Sequence, residues 1–348
     1  MLTPAVSLPL WLWTAAAIGM LWANVSWSER LYGLGGFHKL LVLPLVFACF
    51  PTEQAQKKTV LTYLLSCTVL LILSWTFTIW PRAAWGFARF PGVPVKDFQA
   101  QSGAFVICAF ALLHYASDAI GIRNYGRAAV LIVWSGLFIA DVFYVATGRT
   151  QLVAFPILLL AFGYQRDGWR GMLVITGLGL LLITGMWLSS SYFRDRALAI
   201  PGELELSKTN RSERIAFYKK SVEFITQAPL TGHGTGTIPE LFRQSSAEQQ
   251  GANAIETVNP HNQELAVAIQ LGLPGGAILI AMWLAHLLLF SGSSALERIG
   301  LLFVLQNVIS NQFNTHLFDF TQGWTYVFAV GILGGPILES RRRLAARK

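Results

Sequence analysis

Charge is what this sequence has least of. Only 13% of its 348 residues are Asp, Glu, Lys or Arg, 54% are hydrophobic, and the mean hydropathy is +0.51. A chain so depleted cannot clothe a soluble domain in polar groups and reads as a membrane protein. Cysteine is also scarce. Cys49, Cys67 and Cys108 fall inside apolar runs without metal-ligand spacing, which argues against a disulfide framework or a zinc site. Met1 to Val25 lacks the basic n-region of a cleaved signal and reads as a retained helix. Basic helices and aromatic-interleaved basic patches are missing too, so the net charge of +8 points to membrane orientation and not to nucleic acid. Repeats and low-complexity tracts are absent.

What is present is a series of apolar runs. They predict ten spans, at 4–24, 38–52, 59–80, 101–117, 128–147, 150–165, 171–189, 266–290, 299–315 and 321–338. A helix of about 20 such residues crosses a hydrocarbon core. In the short second run Lys39 would have to snorkel. Placing the tail Arg341-Arg342-Arg343 in the cytoplasm puts Lys57, Lys58, Arg123, Arg127, Arg166, Arg170 and Arg298 on the same side, with both termini inside. The expected architecture is all-α: a polytopic transmembrane bundle of about ten to twelve helices with one large outer loop containing amphipathic helices. Residues 1–189 and 265–348 form the membrane part, and 190–264 the outer loop. Matching halves, the mark of a transporter built from inverted repeats, are not visible.

The loop carries three features. Asn210-Arg211-Ser212-Glu213 has the form of a capping box ahead of Ile215, Tyr218, Val222 and Ile225, predicting an amphipathic helix over ~211–227. Arg211, Arg214 and Tyr218 share one face of it, either as part of a site or because the helix lies on the bilayer. Thr231-Gly232-His233-Gly234-Thr235-Gly236 is either an amide cradle for an anion or a tight turn. In Asn259-Pro260-His261-Asn262, Asn259 suits an N-cap and Pro260 the first helical position, so His261 is expected on the first turn of the next helix. Outside the loop, Arg149 sits in a short outer turn against the basic-inside bias, as a phosphate ligand or a headgroup contact. Arg82 and Arg89 on the outer loop 81–100 face the same choice.

These elements taken in order resemble the O-antigen ligase and polymerase superfamily: Thr147-Gly148-Arg149, the stretch from Arg211 to the Pro-Leu-Thr-Gly-His-Gly-Thr-Gly ending at Gly236, and Pro260-His261-Asn262 followed by Gly272-Leu273-Pro274-Gly275. The resemblance covers roughly residues 140–290, and the family usually carries more membrane helices than the ten counted here. It implies an O-antigen ligase: a metal-independent, inverting glycosyltransferase of the bacterial inner membrane, acting on the periplasmic side. The donor would be a glycan on undecaprenyl pyrophosphate and the acceptor lipid A-core, with no cofactor. O-antigen polymerase or a protein O-oligosaccharyltransferase is the alternative, and a lipid or glycan transporter the reading from another class. Its functional arginines and histidine map onto Arg149, Arg211 and His261.

The chemistry can be stated from the residues as well. Breaking an anomeric bond to pyrophosphate leaves negative charge that a metal or fixed cations must stabilise. The outer carboxylates Asp195, Glu203 and Glu205 are scattered, whereas arginine grips phosphate oxygens through a bidentate fork. Arg149 and Arg211 are the expected catalytic arginines and His261 the expected base or donor. Arg214, Arg82, Arg89, His233 and Asn262 are the expected substrate contacts. His38, His114 and His286 lie at or inside spans and are expected to be packed; His316 lies in an outer turn. Asp141, inside a span, is expected to pair with a neighbouring helix.

Overall fold

The computed structural model describes residues 3–50, 52–84, 90–198, 213–247 and 255–346. Regular structure among them is helical, apart from an isolated bridge between Phe90 and Val93. The helices are α1 (Pro4–Gly19), α2 (Trp27–Gly35), α3 (Lys39–Cys49), α4 (Glu53–Ile79), α5 (Phe98–Gly121), α6 (Tyr125–Tyr144), α7 (Arg149–Ser189), α8 (191–198), α9 (Glu213–Gln227), α10 (Ile238–Ser246), α11 (Gln263–Leu289), α12 (Ala295–Asn311) and α13 (Phe320–Ala346). Six helical segments are long and apolar enough to cross a membrane: Trp27–Cys49, Glu53–Ile79, Phe98–Gly121, Tyr125–Tyr144, Arg149–Ser189 and Gln263–Leu289. The fifth is interrupted at Asp167 and Gly168, where the backbone leaves helical geometry, as two expected spans require. α1 is apolar but shorter, and α12 and α13 are not among the six. α12 has 17 residues, with Glu297, Arg298 and three amides among them, and the apolar stretch of α13 is interspersed with Thr, Gln, Tyr, Gly and Pro.

The chain forms two compact units. The first gathers Met1–Pro51, Pro201–Leu289 and Asn307–Lys348; the second Thr52–Ile200 and Phe290–Gln306.

In the first unit, α1 packs on α11 and α3 on α13. Prolines decide how. Pro9 has no N–H to give the Ala5 carbonyl, and His286 Nε2 from α11 supplies the missing donor at 2.9 Å. His286 Nδ1 lies 2.5 Å from the Tyr326 hydroxyl. With Nε2 donating, Nδ1 must accept, so His286 clamps three helices together. Lys39 is buried and does not snorkel: its ammonium donates to the Phe318 carbonyl at 3.0 Å, because α13 covers this part of α3. Small residues on α13 allow that approach; a side chain at Gly331 or Gly334 would overlap Val46 or Phe47.

In the second unit, α5 packs on α6 and α7. Asp141 is fully buried, and its two oxygens are held by Ser74 Oγ at 2.5 Å and Gln101 Nε2 at 3.0 Å, from α4 and α5. The carboxyl is thus shared among three helices, as its intramembrane position demands. Arg166 Nη1 meets Asp118 Oδ1 at 2.6 Å, and Nη2 donates to the His114 carbonyl at 2.6 Å. His114 is a packed residue of this network, as expected.

Candidate functional site

The site is built on α11. Gly272 interrupts that helix with φ of 68°, and a Cβ there would come within 2.5 Å of the Leu230 carbonyl oxygen. Pro274, next but one, cannot donate to the Gln270 carbonyl. Two carbonyls are therefore stranded, and the glycine-rich segment fills both: His233 N–H donates to Ile269 O at 2.8 Å and Gly234 N–H to Gln270 O at 3.0 Å. Leu273 N–H, freed by the break, donates to Pro229 O at 2.8 Å. Thr235 N–H goes to Gly19 O at 3.1 Å and Gly236 N–H to Gln270 Oε1 at 2.8 Å. The amides of this segment are spent on protein acceptors, so the tight-turn alternative describes it. His233 joins the same clasp, its Nε2 lying 2.8 Å from Phe224 O.

Above the break, α9 and α10 cover α11 through Phe217, Phe224, Ile238, Phe242, Ala266 and Ile269. Phe242 stands edge-on to both Phe217 and Phe224. The buried face of α9 is thus Ala216, Phe217, Lys220, Ser221 and Phe224. This corrects the expected stripe: Val222 is 53% exposed. Two phenylalanines seven residues apart bury more apolar area than the aliphatic series and take the inner face. Burial also lowers the Lys220 pKa.

His261 does not stand on a helix turn. α11 begins at Gln263, and Asn262 is its cap, Asn262 Oδ1 accepting from Leu265 N–H at 2.9 Å. His261 precedes the cap with φ of 57°, one of two described non-glycine residues with positive φ. A left-handed conformation costs an L-residue about 1–2 kcal/mol. What holds it is a set of polar contacts. Asn259 Oδ1 accepts from His261 N–H at 2.8 Å, closing an Asx turn. The Tyr218 hydroxyl sits between the carbonyls of His261 and Gln312, at 3.0 and 2.9 Å. The ring stacks on Phe217 with centroids 6.0 Å apart, and Nδ1 lies 3.3 Å from Asn314 Oδ1. Asn259 Nδ2 donates to that same oxygen at 2.8 Å, Asn262 Nδ2 to Gln312 O at 3.3 Å, and Gln312 Nε2 to Glu264. Burial first, and then the nearby Arg214 guanidinium, push the His261 pKa below its ordinary 6.5. A half-buried ring of this kind is neutral near pH 7, free to take a proton.

The expected site residues divide as follows. His261, Asn262, Arg214 and His233 belong to the first unit, and Arg214 and Tyr218 on one face of α9 both act on His261. Arg211 and Arg89 lie outside the described residues, as does the capping box before Glu213. Arg149 and Arg82 belong to the second unit. Arg149 is the first residue of α7, half-buried behind Gly148, where a Cβ would meet Ser102 Oγ at 2.6 Å. Arg82 is exposed on the 3₁₀ turn Pro81–Ala84. Sequence reasoning missed Gln312 and Asn314. Their signal was the uncharged, amide-rich turn Asn311-Gln312-Phe313-Asn314 between two apolar helices. Among the described residues no group of three or more His, Cys, Asp or Glu could hold a metal ion.

Fold and site together define a multi-pass helical membrane protein with a strained, hydrogen-bonded histidine at the head of a membrane helix. Residues 134–280, which include Arg149, the glycine-rich clasp, His261 and the Gly272 break, match the O-antigen ligase family model, so this segment is similar to that family. No curated protein matches the chain.

Proposed function

We propose that the protein is an O-antigen ligase, moving a glycan from undecaprenyl pyrophosphate to lipid A-core on the periplasmic side of the inner membrane. The observation that carries this is the left-handed His261, a strained residue over-determined by its surroundings, as functional positions are. In the proposed step the acceptor hydroxyl attacks the anomeric carbon. The carbon–oxygen bond to pyrophosphate breaks, its electron pair leaving with the phosphate oxygen. The hydroxyl proton passes to His261 and then to water. The products are the joined glycoside, with inverted anomeric configuration, and undecaprenyl pyrophosphate. Arg149 and Arg211 stabilise the leaving pyrophosphate in place of a metal, and Arg214 and Arg82 add positive potential. Orientation rests on the basic-loop pattern, which sets both termini in the cytoplasm.

The test uses purified full-length protein in nanodiscs with polyprenyl-pyrophosphate glycan and, in separate reactions, lipid A-core, a second carrier-linked glycan or an acceptor peptide. Joined product is expected with lipid A-core; product from another acceptor instead would assign polymerase or protein-modifying activity. His261→Gln is expected to insert, fold and bind donor while transfer falls about 10²- to 10⁴-fold. Near-normal transfer by that variant removes His261 from the reaction.

A further inference from the structure

We infer that Asn314 is a positioning residue, fixing His261 as the Nδ1–H tautomer so that Nε2 carries the lone pair that receives the acceptor's proton; this rests on the transfer reaction proposed above. The case is one of donor and acceptor accounting. Which amide atom is oxygen is settled by main-chain groups, which have only one polarity. Thr315 N–H donates to Asn314 Oδ1 at 3.0 Å, so the atom facing it is the oxygen. His261 N–H donates to Asn259 Oδ1, which leaves Asn259 Nδ2 as the atom that turns to Asn314 Oδ1. Asn314 Oδ1 thus gathers two donors and, having no hydrogen to give, can meet the third neighbour, His261 Nδ1 at 3.3 Å, only as a shared acceptor, which is why this contact is the longest of the three. An acceptor facing Nδ1 requires the proton there, and a neutral imidazole has only one. Nε2 is left unprotonated. The bond is long for the resting neutral ring and is of the kind that strengthens when the ring gains charge.

Asn314 reaches His261 across 53 residues of sequence, yet its orientation is fixed within one residue by Thr315. An amide in this position orients the ring without the pull of a carboxylate, which would raise the imidazole pKa. That matches the groups around it. Arg214 disfavours the imidazolium and Glu213 favours it, both from α9; Glu264 on α11 is engaged by Gln312, and His316 follows Thr315 on the same turn as Asn314.

The experiment compares wild type, Asn314→Asp and Asn314→Leu, as full chains in nanodiscs. The first readout is the ¹⁵N spectrum of the His261 ring, identified by its loss in His261→Gln. The second is the pH profile of kcat/KM. Wild type should show the Nδ1–H tautomer. Asn314→Asp keeps an oxygen facing Thr315, Asn259 and His261 and adds charge, so the acidic limb should move up by about one pH unit or more with the plateau nearly kept. Asn314→Leu should shift the ring toward Nε2–H, the form free imidazole prefers, and lower kcat about 10- to 100-fold without changing donor KM. A merely structural role would lower thermal stability in both variants and leave the limb where it was. Nε2–H in wild type, or an unmoved limb in Asn314→Asp, overturns the inference even if His261→Gln is inactive. If His261→Gln transfers normally, the reaction reading fails, and the wild-type and Asn314→Leu spectra alone decide whether Asn314 sets the tautomer.

Discussion

Replacing His261 by Ala and by Gly makes a pair of variants whose order of stability reports the backbone alone. Both lose the ring, its stacking on Phe217 and its approach to Asn314, so those losses cancel in the comparison. What remains is φ of 57°. Relief of the left-handed conformation favours glycine by about 1–2 kcal/mol, and the extra freedom of glycine in the unfolded chain returns roughly 0.5–1 kcal/mol. The Gly variant should therefore be more stable by about 0.5–1 kcal/mol, a shift of about 2 °C in melting midpoint. If position 261 were on the first turn of a helix, as the sequence suggests, the Ala variant would lead by roughly the same amount. The sign decides between them. Tryptophan fluorescence of the detergent-solubilised proteins, heated at one fixed rate, is sufficient, and both variants should be inactive. A higher midpoint for Ala would refute the strain described at this turn.

Complete chelation of divalent cations should leave transfer intact, whereas Arg149→Lys should cost at least about 10-fold through loss of the guanidinium fork; inhibition by chelator that magnesium or manganese reverses would put a metal in the reaction. After burial, Arg214 is what holds the His261 pKa down, so Arg214→Gln should raise it and move the acidic limb of kcat/KM to higher pH, costing activity on the acid side and sparing the plateau. An unchanged limb, with activity lost equally at every pH, would confine Arg214 to binding. For orientation, Ala247→Cys and Ser340→Cys are exposed positions in a background lacking the native cysteines. An impermeant thiol reagent applied to intact cells with a permeabilised outer membrane should label the first only, and labelling of Ser340→Cys from outside would invert the topology.

The apolar runs made the helices legible, because hydrophobic length survives any tertiary arrangement. The Asn259-to-Asn262 turn was legible as a helix start, but the cap was misplaced by three residues. Asn259 and Asn262 are both good caps, and only the contacts from Tyr218 and Asn314 select the second. The inner face of α9 was misread since its aliphatics form a series of their own, while the larger Phe217 and Phe224 answer to the pocket formed by α10 and α11. Pro9 and Pro274 announce, from sequence alone, that the carbonyls of Ala5 and Gln270 need other donors. Which residues come, His286 and Gly234, depends on contacts hundreds or tens of residues away. The amide-rich turn that holds Asn314 was visible for what it is, but nothing local marks Asn314 as the partner of a histidine 53 positions earlier.

The stitching of α1 to α11 and to the glycine-rich clasp makes its ladder depend on distant sequence. Ala5 waits for a donor 281 residues downstream, and Ala16 for Thr235 Oγ1, 219 residues on. Without those partners α1 keeps a broken ladder, and the contacts that complete it have the large sequence separation that makes pairing slow. The turn that frames His261 depends likewise on Gln312 and Asn314, the latter 53 residues downstream. The frame of the histidine is therefore assembled from segments far apart in sequence, and a break in any one of them loosens the same turn.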